Sequence, residues 1–227
     1  MIRILMIVAA FALAAPQVAW AQANEQAAVD RATAVVEQLR AGPGAPTNKG
    51  ELQRKARGIM IFPELVKAGF ILGAQGGSGV LLSRDPATNT WSYPAFYVFG
   101  AGSLGLQAGA QISRIVFIIM NDKALNALMA DEFKVGAEAG IAIATIGAGA
   151  EASTTSAGGT DIYAFAQQPM GLYGGIALQG GVIKPRAVYN REYYGPSARA
   201  QDIVLGLATR NPGADGLRNA LARASGG

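Results

Sequence analysis

The chain has 227 residues, of which 51% are hydrophobic and 15% are charged, so it can bury a globular core and is neither disordered nor fibrous. It contains no Cys and no His, which excludes disulfides, Cys- or His-based metal sites and nucleophile–His pairs. The formal charge is only +4, and 30 glycines are nearly twice the average share of roughly 7%, which predicts many close backbone contacts.

The first 21 residues are organised like a secretory signal peptide. Arg3 precedes an apolar run from Ile4 to Ala15, and Ala19-Trp20-Ala21 forms an A-x-A cleavage motif. This run is shorter than the roughly 20 residues that a membrane-spanning helix needs, and the chain has no Cys to carry a lipid. We predict cleavage after Ala21 and a periplasmic or secreted protein. The remaining 18 basic and 15 acidic side chains do not favour nucleic acid as a partner.

Apolar residues recur at three- and four-residue steps from Asn24 to Arg40, which predicts an amphipathic helix. A short helical stretch follows over Lys49–Arg57. Apolar and β-branched runs between glycines then predict strands at Ile59–Phe62, Gly69–Gly73, Val80–Ser83, Ala95–Phe99, Ile115–Met120, Ile141–Ile146 and Asp161–Phe165.

Two further helices are predicted, one between strands over Lys123–Glu132 and one after the last strand over Ala198–Thr209. The residues after Pro212 are Ala-rich and weakly helical. Consecutive strands with helices at the ends and in one insertion predict an α+β fold with a strongly bent, mostly antiparallel, glycine-rich sheet and flanking helices. The chain divides into a signal peptide (1–21), one domain (22–209) and an Ala-rich C-terminal tail (210–227).

Residues Gly100 to Gly105 match the dinucleotide-binding pattern G-x-G-x-x-G, and Asp122 lies 22 residues after Gly100. That chemistry requires a helix whose N-terminus holds the pyrophosphate, whereas only Leu106–Ser113 separates two predicted strands here. Glycines at bends of a sheet are the favoured alternative. The adjacent acids Asp131 and Glu132 project about 100° apart on a helix, which does not suit a catalytic carboxylate pair.

Basic residues are concentrated beside the apolar segment Ile59–Pro63. Cations next to exposed apolar side chains are typical of surfaces that bind anionic lipid, although an ordinary solvated face has the same composition. The candidate head-group contacts are Lys49, Arg54, Lys55, Arg57 and Lys67.

Ordered sequence blocks between Glu25 and Gly206 resemble the SYLF-domain family, whose bacterial members are exported and whose eukaryotic members are lipid- and actin-associated. The blocks are Ala56–Pro63, Lys67–Phe70, Gly76–Val80, Trp91–Phe96, Gly102–Gly109, Gly171–Gly180, Asn190, Tyr193–Gly195 and Ile203–Gly206. One departure is Arg114, which stands where many relatives have an acidic residue.

The resemblance implies a lipid-binding module with no catalytic activity and no cofactor. Its expected partner is an anionic phospholipid or membrane surface, with apolar residues of the first helix, such as Val35, Val36 and Leu39, meeting the acyl chains. Actin, a partner of fungal members, is not expected in a bacterial export compartment. The alternative is a structural or stress protein of the envelope that binds a protein partner, for example by strand addition at a sheet edge.

Overall fold

The computed structural model describes residues 24–39, 53–69, 72–104, 109–146, 152–153, 159–167, 178, 180–207 and 210–225. Its helices are α1 (residues 24–39), α2 (residues 53–55), α3 (Asp122–Leu128), α4 (Ala187–Tyr194), α5 (Ala200–Val204) and α6 (Asp215–Ala224). Its strands are β1 (Gly58–Gly69), β2 (Leu72–Ser83), β3 (Ala95–Leu104), β4 (Gly109–Ile119), β5 (Phe133–Lys134), β6 (Ile143–Ile146), β7 (Ala152–Ser153), β8 (Ile162–Gln167) and β9 (Val182–Pro185).

The described strands form one sheet in the order β5-β9-β3-β2-β1-β4-β8-β6-β7. All the pairs are antiparallel except β6 with β8, which is parallel. The sheet is strongly curled, and helices flank it. The predicted α+β fold with a bent, mostly antiparallel sheet is therefore confirmed.

The inner face of the sheet carries an aromatic core. Phe62 of β1 lies 5.8 Å from Phe99 of β3 and 6.2 Å from Phe117 of β4, measured between ring centroids. All three side chains are at most 2% exposed. Burying one such side chain stabilises the fold by roughly 2–3 kcal/mol. This aromatic cluster therefore packs strands β1, β3 and β4 against one another on the inner face.

Helices cover part of the outer face, on which the alternate side chains of the same strands project. Asn190 of α4 accepts from the backbone N–H of Phe96 at 2.8 Å and donates to its carbonyl at 3.0 Å. The Tyr193 hydroxyl donates to Gln26 of α1 at 2.8 Å, and Arg223 of α6 forms an ion pair with Glu37 of α1. These contacts fix α1, α4 and α6 to one another and to the sheet.

A β-bulge interrupts the central strand β1 at Pro63 and Glu64. The register shifts between Phe62 and Leu65 against β4, and at the same place against β2. Proline cannot donate to a ladder, so an interior strand accommodates it at a bulge. A Cβ on Gly77 would lie 2.1 Å from the Glu64 carbonyl oxygen. Glycine is therefore required there for β2 to pack against the bulge.

The strands are longer than the sequence pattern predicts. Gly69 ends β1 and Leu72 begins β2, so the separate strand predicted over Gly69–Gly73 is wrong. The error arises because glycines often mark breaks between strands, whereas Gly76, Gly77 and Gly79 lie inside β2.

Two predicted helices are shorter in the structure than in the prediction. The helix predicted over Lys123–Glu132 ends at Leu128, and the one predicted over Ala198–Thr209 is helical over Ala200–Val204.

The C-terminal residues form a regular helix, α6, although their sequence has only a weak helical pattern. α6 follows a 3-10 turn over Pro212–Ala214, and its Leu217, Ala220 and Leu221 are at most 1% exposed. The segment therefore contributes to the core. The predicted signal peptide lies outside the described residues.

Candidate lipid-binding surface

Three of the five residues that are predicted to contact lipid head groups lie together at the start of β1. Arg54 and Lys55 are exposed on α2, and half-buried Arg57 directly precedes the strand. Lys67 lies near the other end of β1, ten residues farther on, which corresponds to roughly 30 Å at strand spacing. Lys49 lies outside the described residues. The structure thus brings Arg54, Lys55 and Arg57 together and separates Lys67 from them.

Arg57 joins three parts of the fold. Its Nε donates to Oδ1 of Asp122 at 2.7 Å, and its Nη2 lies 2.6 Å from the same oxygen. Its Nη1 donates to the carbonyl of Arg84 at 2.8 Å. Because Asp122 neutralises it and only 26% of its side chain is exposed, Arg57 holds α3 against the sheet rather than offering a free charge.

Arg84 is a fourth basic residue at this position, and no motif in the sequence pointed to it. Its Nη1 donates to the carbonyl of Arg54, and its Nη2 donates to Asn89 at 3.0 Å. The turn that follows begins with Asp85, whose carboxylate accepts from the N–H of Ala87. That hydrogen bond is the main cause that lowers the pKa of Asp85 below its usual value. We call Arg54, Lys55, Arg57 and Arg84 the basic corner.

Two exposed leucines follow helix α5 close to the basic corner. Ser83, which precedes Arg84, donates its hydroxyl to the carbonyl of Val204 at the end of α5. Leu205 and Leu207 come next in the chain and are 54% and 74% exposed. The α5 end and the basic corner are therefore neighbours, although some 120 residues separate them in sequence. Only the tertiary fold could reveal this combination of cations and apolar side chains.

The first helix does not supply the apolar contact that the sequence suggested. Val35 is 4% exposed and Val36 is fully buried, and Leu39 is partly buried and packs against the core. The apolar stripe of α1 is directed to the protein interior. The prediction that Val35, Val36 and Leu39 meet acyl chains is therefore wrong, because the same periodicity serves core packing.

The dinucleotide pattern does not form a phosphate-binding loop. Gly100 to Leu104 lie within β3 and pair with Gly76 to Leu72 of β2, while Gly105 lies outside the described residues. Among the described residues the next element after β3 is strand β4, whereas that chemistry requires a helix N-terminus directly after the loop. Glu132 is paired with Lys184 at 2.6 Å, which lowers the pKa of its carboxyl. Neither observation supports nucleotide binding or a carboxylate pair.

The part of the chain that the structure describes contains no group of three or more acidic side chains placed to hold a metal ion. Within the same residues there is also no helix of sufficient length and hydropathy to span a bilayer.

A sequence profile of the Ysc84 family, described as a Las17-binding protein and actin regulator, matches residues 100–224, more than half of the chain. The chain belongs to the Ysc84 (SYLF) domain family. The match confirms the resemblance noted from the sequence blocks. The family's description names a regulator and no catalytic activity.

Several eukaryotic relatives share this domain. SH3 domain-containing YSC84-like protein 1 of Bos taurus is 32% identical over 169 residues, covering 74% of this chain and 48% of the relative. Protein YSC84 of Saccharomyces cerevisiae is 29% identical, covering 74% and 36%. LAS seventeen-binding protein 3 of the same yeast is 28% identical, covering 75% and 37%. The chain thus spans half or less of the length of these relatives.

Proposed function

We propose that this SYLF domain is a non-enzymatic phospholipid-binding module of the bacterial periplasm or cell envelope. Anionic head groups contact the exposed Arg54 and Lys55, beside the half-buried Arg84, while Leu205 and Leu207 enter the interfacial region of the bilayer. The observation that carries the proposal is that the Ser83–Val204 and Arg84–Arg54 hydrogen bonds bring the exposed leucines close to the exposed Arg54 and Lys55. Such a combination is typical of surfaces that lie on membranes.

The expected affinity is modest. Each exposed cation near an anionic membrane contributes about 1 kcal/mol, and this attraction falls off within a Debye length of about 10 Å at 0.1 M salt. The leucines add apolar burial that does not depend on salt. Binding should therefore weaken with rising ionic strength and retain a residual apolar component.

The test is co-sedimentation of the mature chain, residues 22–227, with neutral and anionic vesicles at low and moderate salt. The variant Arg54→Gln/Lys55→Gln should lose most anionic-vesicle binding. The control Arg191→Glu changes the net charge by the same amount at an exposed position on α4, and it should bind like the wild type. Equal losses in both variants would show that net charge alone matters and would remove the basic corner as the site.

The compartment is tested separately. The proposal of export rests on the pattern of residues 1–21, and mass spectrometry of the protein from a periplasmic extract should find an N-terminus at Gln22. A protein that retains Met1 in the cytoplasmic fraction would contradict it.

Binding of a protein partner is the second candidate function. The family description and the name of the yeast relative, LAS seventeen-binding protein 3, favour it, since both refer to a protein ligand. This candidate predicts no vesicle binding together with a defined partner after crosslinking in cells. Strong vesicle binding with no crosslinked partner would count against it.

A further inference from the structure

A groove of about 200 Å³ lies between α1 and the bulged part of the sheet. Arg31 and Gln38 of α1, Glu64 of the β1 bulge and Arg114 of β4 supply its polar groups. Glu64 is seven residues along β1 from Arg57, roughly 20 Å at strand spacing. The groove is therefore separate from the basic corner.

The bulge is what places an acid in this groove. Without it, Glu64 would continue the regular alternation of β1, whereas a bulge re-aims the side chains it contains. Pro63, its neighbour, also lines the groove. The glycine at position 77, which makes room for the Glu64 carbonyl, maintains this arrangement from the adjacent strand.

The charged groups of the groove have unused binding capacity. The Nη1 of Arg114 donates to Oε1 of Gln38, and its Nε, which is shielded from solvent, has no hydrogen-bond partner among the described residues. Neither Arg31 nor Glu64 makes a side-chain hydrogen bond or ion pair with the residues that the structure describes. A ligand with both an anionic acceptor and a cation would pair with the guanidinium groups of Arg31 and Arg114 and with the Glu64 carboxylate.

An apolar strip continues from the groove along the outer face of the sheet. Ile112 lines the groove and pairs across the strands with Val66. These side chains are 48% and 42% exposed, although both belong to central strands of the sheet. A ligand held in the groove would place an attached hydrocarbon chain on this strip.

We propose that the groove binds the phosphoethanolamine head group of a phospholipid. The phosphate lies between Arg31 and Arg114, the primary ammonium is bound by the Glu64 carboxylate, and an acyl chain covers Ile112 and Val66. At about 200 Å³ the groove accommodates a head group, since pockets for larger ligands span roughly 300–1,000 Å³.

The groove chemistry disfavours the other common head groups. A glycerol head group has no cation for Glu64, and free phosphate leaves that carboxylate unpaired beside an anion. Choline cannot donate a hydrogen bond, and the described residues that line the groove include no aromatic ring of the kind that usually recognises it. A primary ammonium supplies the donors that a carboxylate accepts.

This inference rests on the proposed phospholipid-binding function but not on the basic corner, so the two sites are tested apart. Calorimetric titration of the mature chain uses dihexanoyl phosphatidylethanolamine below its micelle concentration, with the phosphatidylcholine and phosphatidylglycerol analogues, glycerophosphoethanolamine and inorganic phosphate as comparisons. Phosphatidylethanolamine should bind at least about tenfold more tightly than either analogue. Glycerophosphoethanolamine should bind more weakly than the lipid, because it lacks acyl chains, but more tightly than phosphate.

Variants assign the contacts. Arg114→Gln, or the exposed Arg31→Gln if the first variant fails to fold, should weaken the lipid affinity about tenfold or more. Glu64→Gln should abolish the preference for ethanolamine over glycerol while the phosphate contact remains. Arg54→Gln/Lys55→Gln should leave this titration unchanged and reduce only vesicle binding. Equal affinity for all three lipids, binding of phosphate as tight as that of the lipid, or an unchanged preference in Glu64→Gln would overturn the proposal.

Discussion

Replacing Glu25 with glutamine should stabilise the protein above pH 6 and leave it unchanged in acid. Glu25 lies in α1, is fully buried, and has no hydrogen-bond partner for either carboxylate oxygen among the described residues. The pKa of Glu25 is raised to about 6, mainly by burial and also by the neighbouring Glu192 carboxylate, whereas its own backbone N–H and Arg186 oppose the shift. At neutral pH the native state therefore holds a poorly compensated buried charge.

The change in the free energy of unfolding follows from the difference between the pKa of Glu25 in the native and the unfolded state. A pKa raised from 4.5 to about 6 means that the native state binds the proton more tightly than the unfolded chain does. The contribution of Glu25 to the free energy of unfolding is therefore greatest below pH 4.5 and falls as the pH rises through 6. Above pH 6 it is lower by about 2 kcal/mol than in acid. The glutamine side chain carries no charge at any pH, so the free energy of unfolding of the Glu25→Gln variant should be about 2 kcal/mol higher than that of the wild type at pH 7.5.

Urea unfolding at several pH values measures the effect. Trp91 is buried, and it is the sole tryptophan of residues 22–227, so its fluorescence reports unfolding directly. The control is Glu138→Gln, which removes an exposed carboxylate. A stability difference between Glu25→Gln and wild type that is the same at pH 4 and pH 7.5 would refute the reasoning, since the gain would not then come from ionisation.

Three further predictions use single positions. Gly77→Ala should destabilise the fold by several kcal/mol in urea unfolding, because its Cβ would overlap the Glu64 carbonyl, whereas Gly100→Ala, with nothing within 4 Å, should cost about 1 kcal/mol or less. Asn190→Ala should cost about 1–3 kcal/mol in the same assay, because the backbone N–H of Phe96 loses its acceptor while its carbonyl keeps only the Arg186 N–H; a loss under about 0.5 kcal/mol would mean that water replaces the amide. Leu207→Ser should reduce vesicle binding at high salt with unchanged thermal stability, and equal binding at high salt would exclude this leucine from the interface.

The sequence predicts the fold class well and its glycine-rich strands poorly. Periodic apolar residues identify α1, and apolar runs identify the cores of β1, β3 and β4, because both patterns reflect local geometry. The glycines inside β2 resemble strand breaks in the sequence, since the reason for Gly77 is a carbonyl on another strand. A propensity scale cannot contain that information.

The candidate site is predictable only where its residues are adjacent in the chain. Arg54, Lys55 and Arg57 stand out as a cluster, but the sequence does not show that Asp122 neutralises Arg57. Arg84 and Leu207 join the surface through hydrogen bonds that cross the fold. The apolar periodicity of α1 misleads about lipid contact because a stripe that faces a core and one that faces a membrane have the same spacing.

The bulge at Pro63 divides the central strand into two parts that should differ in the hydrogen exchange of their backbone amides. Ile59 and Ile61 before it are at most 1% exposed, whereas Val66 after it is 42% exposed on the same outer face. Amide hydrogens of the first part should exchange only through global unfolding, and those beyond the bulge through smaller local fluctuations. A molecule seated beside Glu64 would bridge the boundary, so protection of the far part would report occupancy of the groove without any chemical label.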